Sequence, residues 1–437
     1  MCLRVLELFV KCSVLAAASA AVLLFLLWTL TPGHEHFRDS CHNPRSAELR
    51  VLPDLTFRCG WQRLRPEGAG DSPVPYAFIQ PNGSWCWSNA GFVAFPDGSG
   101  LLVDTLMDPV LTSTMLRELG PARGAASAKI DAVLFTHPDV DHILGNQAVP
   151  PEIPRLGTAK AQAEISTQAA GTSRLKLSVA VGAFLWQALQ LLGGPALVAH
   201  LPSAWQPAAM AVLGFLKSQD NLAGFNLREI DGNLLPVFHR NLTSGDSLTI
   251  RDEPLPLQFW EVGSIHSKSD SIVLLPEARV AFAGDLLFIG IAPVMWSGPA
   301  ASWVTALDQL LEATGPDWRF VPGHGPVTDT EGVRSVRRYF AYLHEAVSKA
   351  CSDLSLAADA DDVCARRVLQ EMPSDLQDDF AEPERIMICV VMERLARRTG
   401  GPAKVDVVTK VKWIGKMSEH KMRLPSANKQ VHSQVEL

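Results

Sequence analysis

Thr136-His137-Pro138-Asp139-Val140-Asp141-His142 places four potential metal ligands within six residues, directly after the apolar run Ile130 to Phe135. Two further pieces follow downstream: Gly263-Ser264-Ile265-His266 with Ala283-Gly284-Asp285, and then Pro322-Gly323-His324-Gly325. Neutral imidazoles and carboxylates can hold a divalent cation while leaving a coordination position for water, and a water held there becomes a nucleophile near neutral pH. Ligands crowded on one tight loop cannot all reach the same ion. The spacing therefore predicts a neighbouring pair of metals about 3.5 to 4 Å apart, with Asp285 standing where a carboxylate would bridge them. No thiolate occurs in these motifs, and an O/N donor set suits zinc, with iron or manganese as alternatives. The chemistry these residues predict is metal-dependent hydrolysis.

Each motif follows a strand-like apolar run, namely Ile130 to Phe135, Leu257 to Val262, Val280 to Ala283 and Phe320 to Val321. That repeated setting separates the four histidines from His34, His36, His200, His239, His344, His420 and His432, which lack it and read as ordinary surface or core residues. Lys268, two residues past His266, has two readings: it meets an anionic substrate group, or it is a solvated loop lysine.

These residues resemble the metallo-β-lactamase superfamily, whose pattern is His-x-His-x-Asp-His, then a lone His, an Asp and a last His, each at a strand end. The resemblance covers roughly residues 84 to 345 and implies an α/β fold, a four-layer αββα sandwich. It carries the metal-ligand roles to His137, Asp139, Asp141, His142, His266, Asp285 and His324, with Asp141 also orienting or deprotonating the attacking water. It further implies that Asp104, ending the run Leu101 to Val103, supports the metal loop from behind. Asp139 is a departure, because the family usually has a second His there. The first site thus has one imidazole fewer and more negative charge, which lowers the Lewis acidity of its ion.

A chain of 437 residues with 47% hydrophobic content exceeds one ordinary domain and can bury a large core. Its formal charge of -7, with no Lys/Arg stripe interleaved with aromatics near the motifs, argues against a nucleic-acid partner and for a small-molecule substrate. Ser13 to Leu30 is an unbroken apolar run of bilayer-spanning length, preceded by Arg4 and Lys11. It predicts a signal anchor over residues 1–31 with the rest of the chain lumenal or extracellular, the alternative being a cleaved signal peptide. The sequons at Asn82 and Asn241 are compatible with that side of the membrane. So are the six cysteines beyond the run, for which Cys41 with Cys59 and Cys351 with Cys364 are the sequence-local pairings.

The elements that must position the ligands are then read in order. Residues 32–83 form a linker and leading strands, and 84–345 the catalytic domain, opened by a hairpin from Ser88 through Pro96-Asp97-Gly98 to Thr105. Asp108-Pro109 opens a helix that Gly120 closes. Trp303, Val304, Leu307, Leu310 and Leu311 recur at helical spacing, as do Val333, Val336, Phe340, Leu343 and Val347. An Ala/Leu-rich helical insertion occupies 159–231, its centre apolar nearly all round; it reads as a lid or pocket wall, which would suit a hydrophobic substrate, or as a helical hairpin completing the core. Residues 346–403 form a helical extension and 404–437 a flexible lysine-bearing tail. The predicted activity is hydrolysis of an ester, thioester, lactone or amide. The alternatives are an iron-dependent redox enzyme on the same scaffold and a binding protein that has lost catalysis.

Overall fold

The computed structural model describes residues 50–403 except 53–54, 57–59, 66–72, 81–87, 97–99, 108, 125–128, 224–234, 247, 251–252, 353, 355–357 and 381, together with Trp413. The N-terminal apolar run, Cys41, Cys59, Cys86, Asn82 and the tail from 404 other than Trp413 lie outside the described residues. The chain divides into two compact units, the insertion segment Thr172–Glu229 and a body made of Arg38–Gly171 with Ile230–Lys410.

Two sheets build the body. The first has seven strands in sequence order: β1 Gly60–Arg63, β2 Val74–Ile79, β3 Ala90–Ala94, β4 Gly100–Val103, β5 Ala132–Leu134, β6 Arg155–Gly157 and β7 Arg240–Asn241. Antiparallel pairing through β4 gives way to parallel pairing from β4 to β7. The second sheet orders β8 Gln258–Gly263, β9 Asp270–Leu275, β10 Val280–Phe288 and β11 Arg319–His324, the last pair parallel. The sheet edge therefore starts at Gly60, earlier than the residue 84 at which the sequence pattern begins.

The apolar residues of the two sheets meet in one core that joins Val93, Leu101 and Leu134 of the first to Phe259, Val273 and Phe282 of the second. Each such side chain, fully buried, contributes about 1.5–3 kcal/mol. Strands β3, β9 and β10 are buried along their whole length, because helices cover the outer faces too. On the first sheet Trp61 donates from Nε1 to the Met115 carbonyl of α1 (Pro109–Ala122) at 2.8 Å. On the second, Trp303 of α5 (Ala300–Ala313) donates to Leu286 O of β10 at 2.8 Å and stacks on Phe340 of α6 (Thr330–Ala350) at 3.9 Å. The order helix, sheet, sheet, helix is the α/β sandwich expected. The apolar stripes of α5 and α6 face inward as their spacing requires, with Val304 and Leu311 only half-buried.

Two expectations are corrected. Gly120 does not close α1, which runs through Gly120 and Pro121 to Ala122 and is followed by Gly124 at φ 70°. A proline that late in a helix removes a single donor, while Arg123 N still reaches the Leu119 carbonyl at 3.2 Å. Nor does β10 end before Asp285; it continues to Phe288 across a register break at Gly284, whose φ is 50°.

Beyond the sandwich, α7 Ala358–Gln370, α8 Ser374–Phe380 and α9 Pro383–Thr399 form the C-terminal extension, with α7, α8 and α9 all touching α6. Cys351 and Cys364 form a disulfide there, and Cys389 is a buried free thiol. Buried Glu393 of α9 accepts from Ala300 N at 2.8 Å and from Arg397 Nε at 2.8 Å, which fixes the extension to the start of α5. No single helix among the described residues is long and apolar enough to cross a membrane.

Candidate metal centre

The site lies where strand ends of both sheets meet. The β5 end delivers His137, Asp139, Asp141 and His142; the β8–β9 loop delivers His266; β10 delivers Asp285 and the end of β11 delivers His324. All seven come together around the Asp285 carboxylate. His142 Nε2 lies 3.1 Å from Asp285 Oδ1, while Nε2 of His266, His324 and His137 lie 3.2, 3.2 and 3.7 Å from Oδ2. Asp139 Oδ2 is 2.9 Å from His266 Nε2, and Asp141 Oδ2 is 3.4 Å from His324 Nε2. Donor atoms of His137, Asp139 and His266 lie within 4.8 Å of one another, as do those of Asp141, His142 and His324.

The imidazoles are held in one orientation by what stands behind them. Asp104, at φ 58°, accepts from Thr136 N at 2.8 Å, Thr136 Oγ1 at 2.7 Å and His142 Nδ1 at 3.1 Å. With its proton committed to Asp104, the Thr136 hydroxyl can only accept from His137 Nδ1, 3.0 Å away. His266 Nδ1 donates to the Val294 carbonyl at 2.7 Å. All three rings therefore donate from the outer nitrogen and turn Nε2 inward. Inside, His137 Nε2, His142 Nε2 and Asp285 Oδ1 are buried without a hydrogen-bond partner. Ring nitrogens and carboxylate oxygens converging this closely call for positive charge between them, supplied by ring protons or by a bound cation, and the O/N donor set fits a metal.

The electrostatics agree. Burial pushes the His142, His266 and His324 rings toward neutrality, yet the Asp285, Asp141 and Asp104 carboxylates outweigh it and hold His142 well above its ordinary range. Against the same burial, Asp285 with Asp139 lifts His266 to about 9, and Asp285 with Asp141 raises His324. Asp285 is held well below the usual carboxylate range, its burial outweighed by His324, His142, His266 and His137. The pocket is a centre of negative potential that calls for positive charge.

Sequence reasoning placed Asp104 behind the loop, where the structure also has it, but missed four supports. Thr136 is one. Asn89 is another: it donates to the carbonyls of Pro322 at 2.9 Å and Gly325 at 2.7 Å, clamping the turn that bears His324. Asp270 accepts from Ile265 N at 2.9 Å and Ser267 N at 3.0 Å, the two residues flanking His266, and Ser88 Oγ donates to the Asp141 carbonyl at 2.6 Å. Gly323 is required by proximity, since a Cβ there would stand 1.8 Å from Asp285 Oδ1. Lys268 points elsewhere: it is exposed and pairs with Glu164 at 3.5 Å.

A family model described as the metallo-beta-lactamase superfamily matches residues 83–154, the stretch from the opening hairpin through the β5 loop. Over this segment the chain is similar to the metallo-β-lactamase superfamily. A metallo-beta-lactamase type 2 from Bacteroides fragilis is 28% identical over 156 residues, which are 34% of this chain and 61% of that relative, less than two thirds of its length. Among solved structures, the mono-zinc form of the metallo-β-lactamase FIM-1 from Pseudomonas aeruginosa is similar, with a TM-score of 0.40 at 15% identity, over 64% of this chain and 95% of the other. The stereoselective inverting sec-alkylsulfatase Pisa1 from Pseudomonas sp. is also similar, with a TM-score of 0.49 at 15% identity, over 77% of this chain and 50% of the other. The departure from the superfamily's motif, Asp139, sits against His266 at 2.9 Å.

Proposed function

We propose that the chain is a metal-dependent hydrolase holding two zinc ions, one among His137, Asp139, His266 and Asp285, the other among Asp141, His142, His324 and Asp285. The observation that carries this reading is the set of buried Nε2 atoms of His137, His142, His266 and His324 converging on Asp285, the first three with their outer nitrogens committed. Bound there, the ions supply Lewis acidity and a water acidified to near neutral pH, suited to an ester, thioester, lactone or amide carbonyl. The chain's own part is to present that substrate on the open side of the cluster. Asp139 and Asp141 are the most accessible members, with side chains 18% and 17% exposed against 2% for Asp285. Asp141 Oδ2 is placed to orient the attacking water and take its proton.

Elemental analysis of the full chain beside His142→Ala and Asp139→His, followed by a panel of ester, lactone, thioester and β-lactam substrates, tests the reading. Close to two zinc per chain, lost in His142→Ala, supports it; no bound metal in any form sinks it and leaves a binding protein. A second reading has its own observation. His137, His266 and Asp139 make a two-histidine, one-carboxylate group of the kind that takes iron(II) in non-haem sites, so iron in place of zinc would redirect the screen to redox substrates. We also propose a membrane-anchored protein with the body lumenal or extracellular, a placement supported by the Cys351–Cys364 disulfide and by exposed Asn241 in its sequon. Its partners would be a small-molecule substrate and the membrane, with no nucleic acid.

A further inference from the structure

From Leu177 to Leu216 the sequence runs forty residues without an Asp, Glu, Lys or Arg. This stretch folds as a helical hairpin. The long helix α3 (Ala159–Leu191) goes out, a short 3-10 segment Gly194–His200 turns the corner, and α4 (Gln206–Ala223) comes back. The pairing is antiparallel. A Cβ at Gly182 would meet Gln219, four residues on Trp186 lies under the Lys217 ammonium at 5.4 Å, and Trp186 packs with Val198, Leu213 and Leu216 in a core of its own.

That small core leaves a surplus of apolar surface. Seven of the eight large hydrophobic side chains exposed among the described residues fall between 185 and 212, and the most exposed stand at the hairpin tip: Leu191 at 90%, Leu192 at 70% and Trp205 at 69%. A soluble hairpin tip normally carries charge, and contiguous exposed apolar surface of this kind marks a binding or membrane surface.

We propose that the tip of this hairpin inserts into one leaflet of a lipid bilayer. Length, charge and chemistry fix the occupant. The uncharged part of α3, Leu177 to Leu191, rises about 22 Å and that of α4, Gln206 to Leu216, about 16 Å, against a hydrocarbon core about 30 Å thick. Neither is long enough to cross the hydrocarbon core. The only apolar continuation beyond α3, through Val181–Leu191 and Gly194–His200, is bent by 70°. The hairpin thus enters and leaves on the same side, so the chain before and after it stays in one compartment. In sequence Arg174 and Lys176 precede the uncharged run and Lys217 follows it, residue types that suit lipid phosphates at the edge of an apolar insertion. A protein partner would call for polar specificity at the rim, which forty uncharged residues do not offer.

An environment-sensitive fluorescent amino acid placed at Leu192, or at exposed Val237 as a control, reports this in the full chain. Because the N-terminal run alone can bring every form to vesicles, the test is local. With phosphatidylcholine/phosphatidylserine vesicles the probe at 192 shifts to the blue and is quenched by lipids brominated on the acyl chains, whereas the probe at 237 is unchanged. The double change Leu191→Asp with Trp205→Asp, both exposed and outside the hairpin core, abolishes the shift while circular dichroism stays the same. A probe at 192 that keeps its aqueous emission on vesicles overturns the proposal. A blue shift without lipid that grows with protein concentration also overturns it, in favour of contact with a second copy. Neither result bears on metal content, so the hydrolase reading stands or falls separately.

Discussion

Asp104→Asn separates the two jobs of the residue behind the metal loop. Asparagine keeps the shape and tolerates the left-handed backbone at φ 58°, so the main chain is not taxed. It keeps one acceptor, enough for Thr136 N, and puts an amide donor where the second oxygen took the protons of Thr136 Oγ1 and His142 Nδ1. Two donors then face each other at about 3 Å, and His142 relieves this by moving its proton to Nε2, the atom that would hold the metal. A displaced partner of this kind typically lowers metal affinity 10–100-fold, or about 1.4–2.8 kcal/mol, and a lost charge-assisted hydrogen bond costs about 1.5–3 kcal/mol of stability. Competition against a chelating dye gives the first quantity and urea unfolding of the metal-free chain the second. Asp104→Ala, which adds about 1–2 kcal/mol of left-handed strain, should unfold more easily than Asp104→Asn yet bind metal no better. A zinc affinity within threefold of wild type in Asp104→Asn would refute the positioning role.

Three other outcomes are expected. Gly323→Ala drives a methyl into Asp285 Oδ1 from 1.8 Å, so it should lose about 1–3 kcal/mol to overpacking and most of its bound metal, by calorimetry and elemental analysis; a variant with full metal content contradicts the close approach. Reducing the disulfide, or Cys351→Ser, opens a loop of sequence separation 13 and should cost about 2–3 kcal/mol in urea under otherwise identical conditions. Stripping metal with a chelator should lower Tm, and restoring zinc to about 100 times Kd should return roughly 2.7 kcal/mol; a Tm indifferent to chelator would count against a metal in this cluster.

How much of this was legible depends on the distance over which each residue acts. The candidate ligands stand in short motifs after apolar runs, so local pattern was enough to single them out, whereas Asp104, which closes a strand of the opening hairpin, was named through the family resemblance. The inward faces of α5 and α6 followed from a repeat of three to four residues. Asn89 was not nameable, because the carbonyls it clamps lie more than 230 positions away. Asp270 reads as the first residue of a strand until the loop bearing His266 is seen folded over it. The overrun of β10 past Asp285 has the same origin: Gly284, backed against the Thr136 side chain, breaks the register with β11 and lets the strand continue while aiming one carboxylate inward.

The centre also sits on a seam. His137 and His142 leave the first sheet, while His266, Asp285 and His324 belong to the second; the core beneath joins the two through side chains, and at the seam Asn89 N donates to Gly323 O at 2.8 Å and Ser271 N to Thr136 O at 2.9 Å. A cation at that point would act as a rivet through both sheets, closing a loop of nearly 190 residues between His137 and His324. Ion loss would then be felt first as a loosening of one sheet against the other, so a protease digesting the metal-free protein would release sheet-sized fragments where the loaded form yields only trimmed ends.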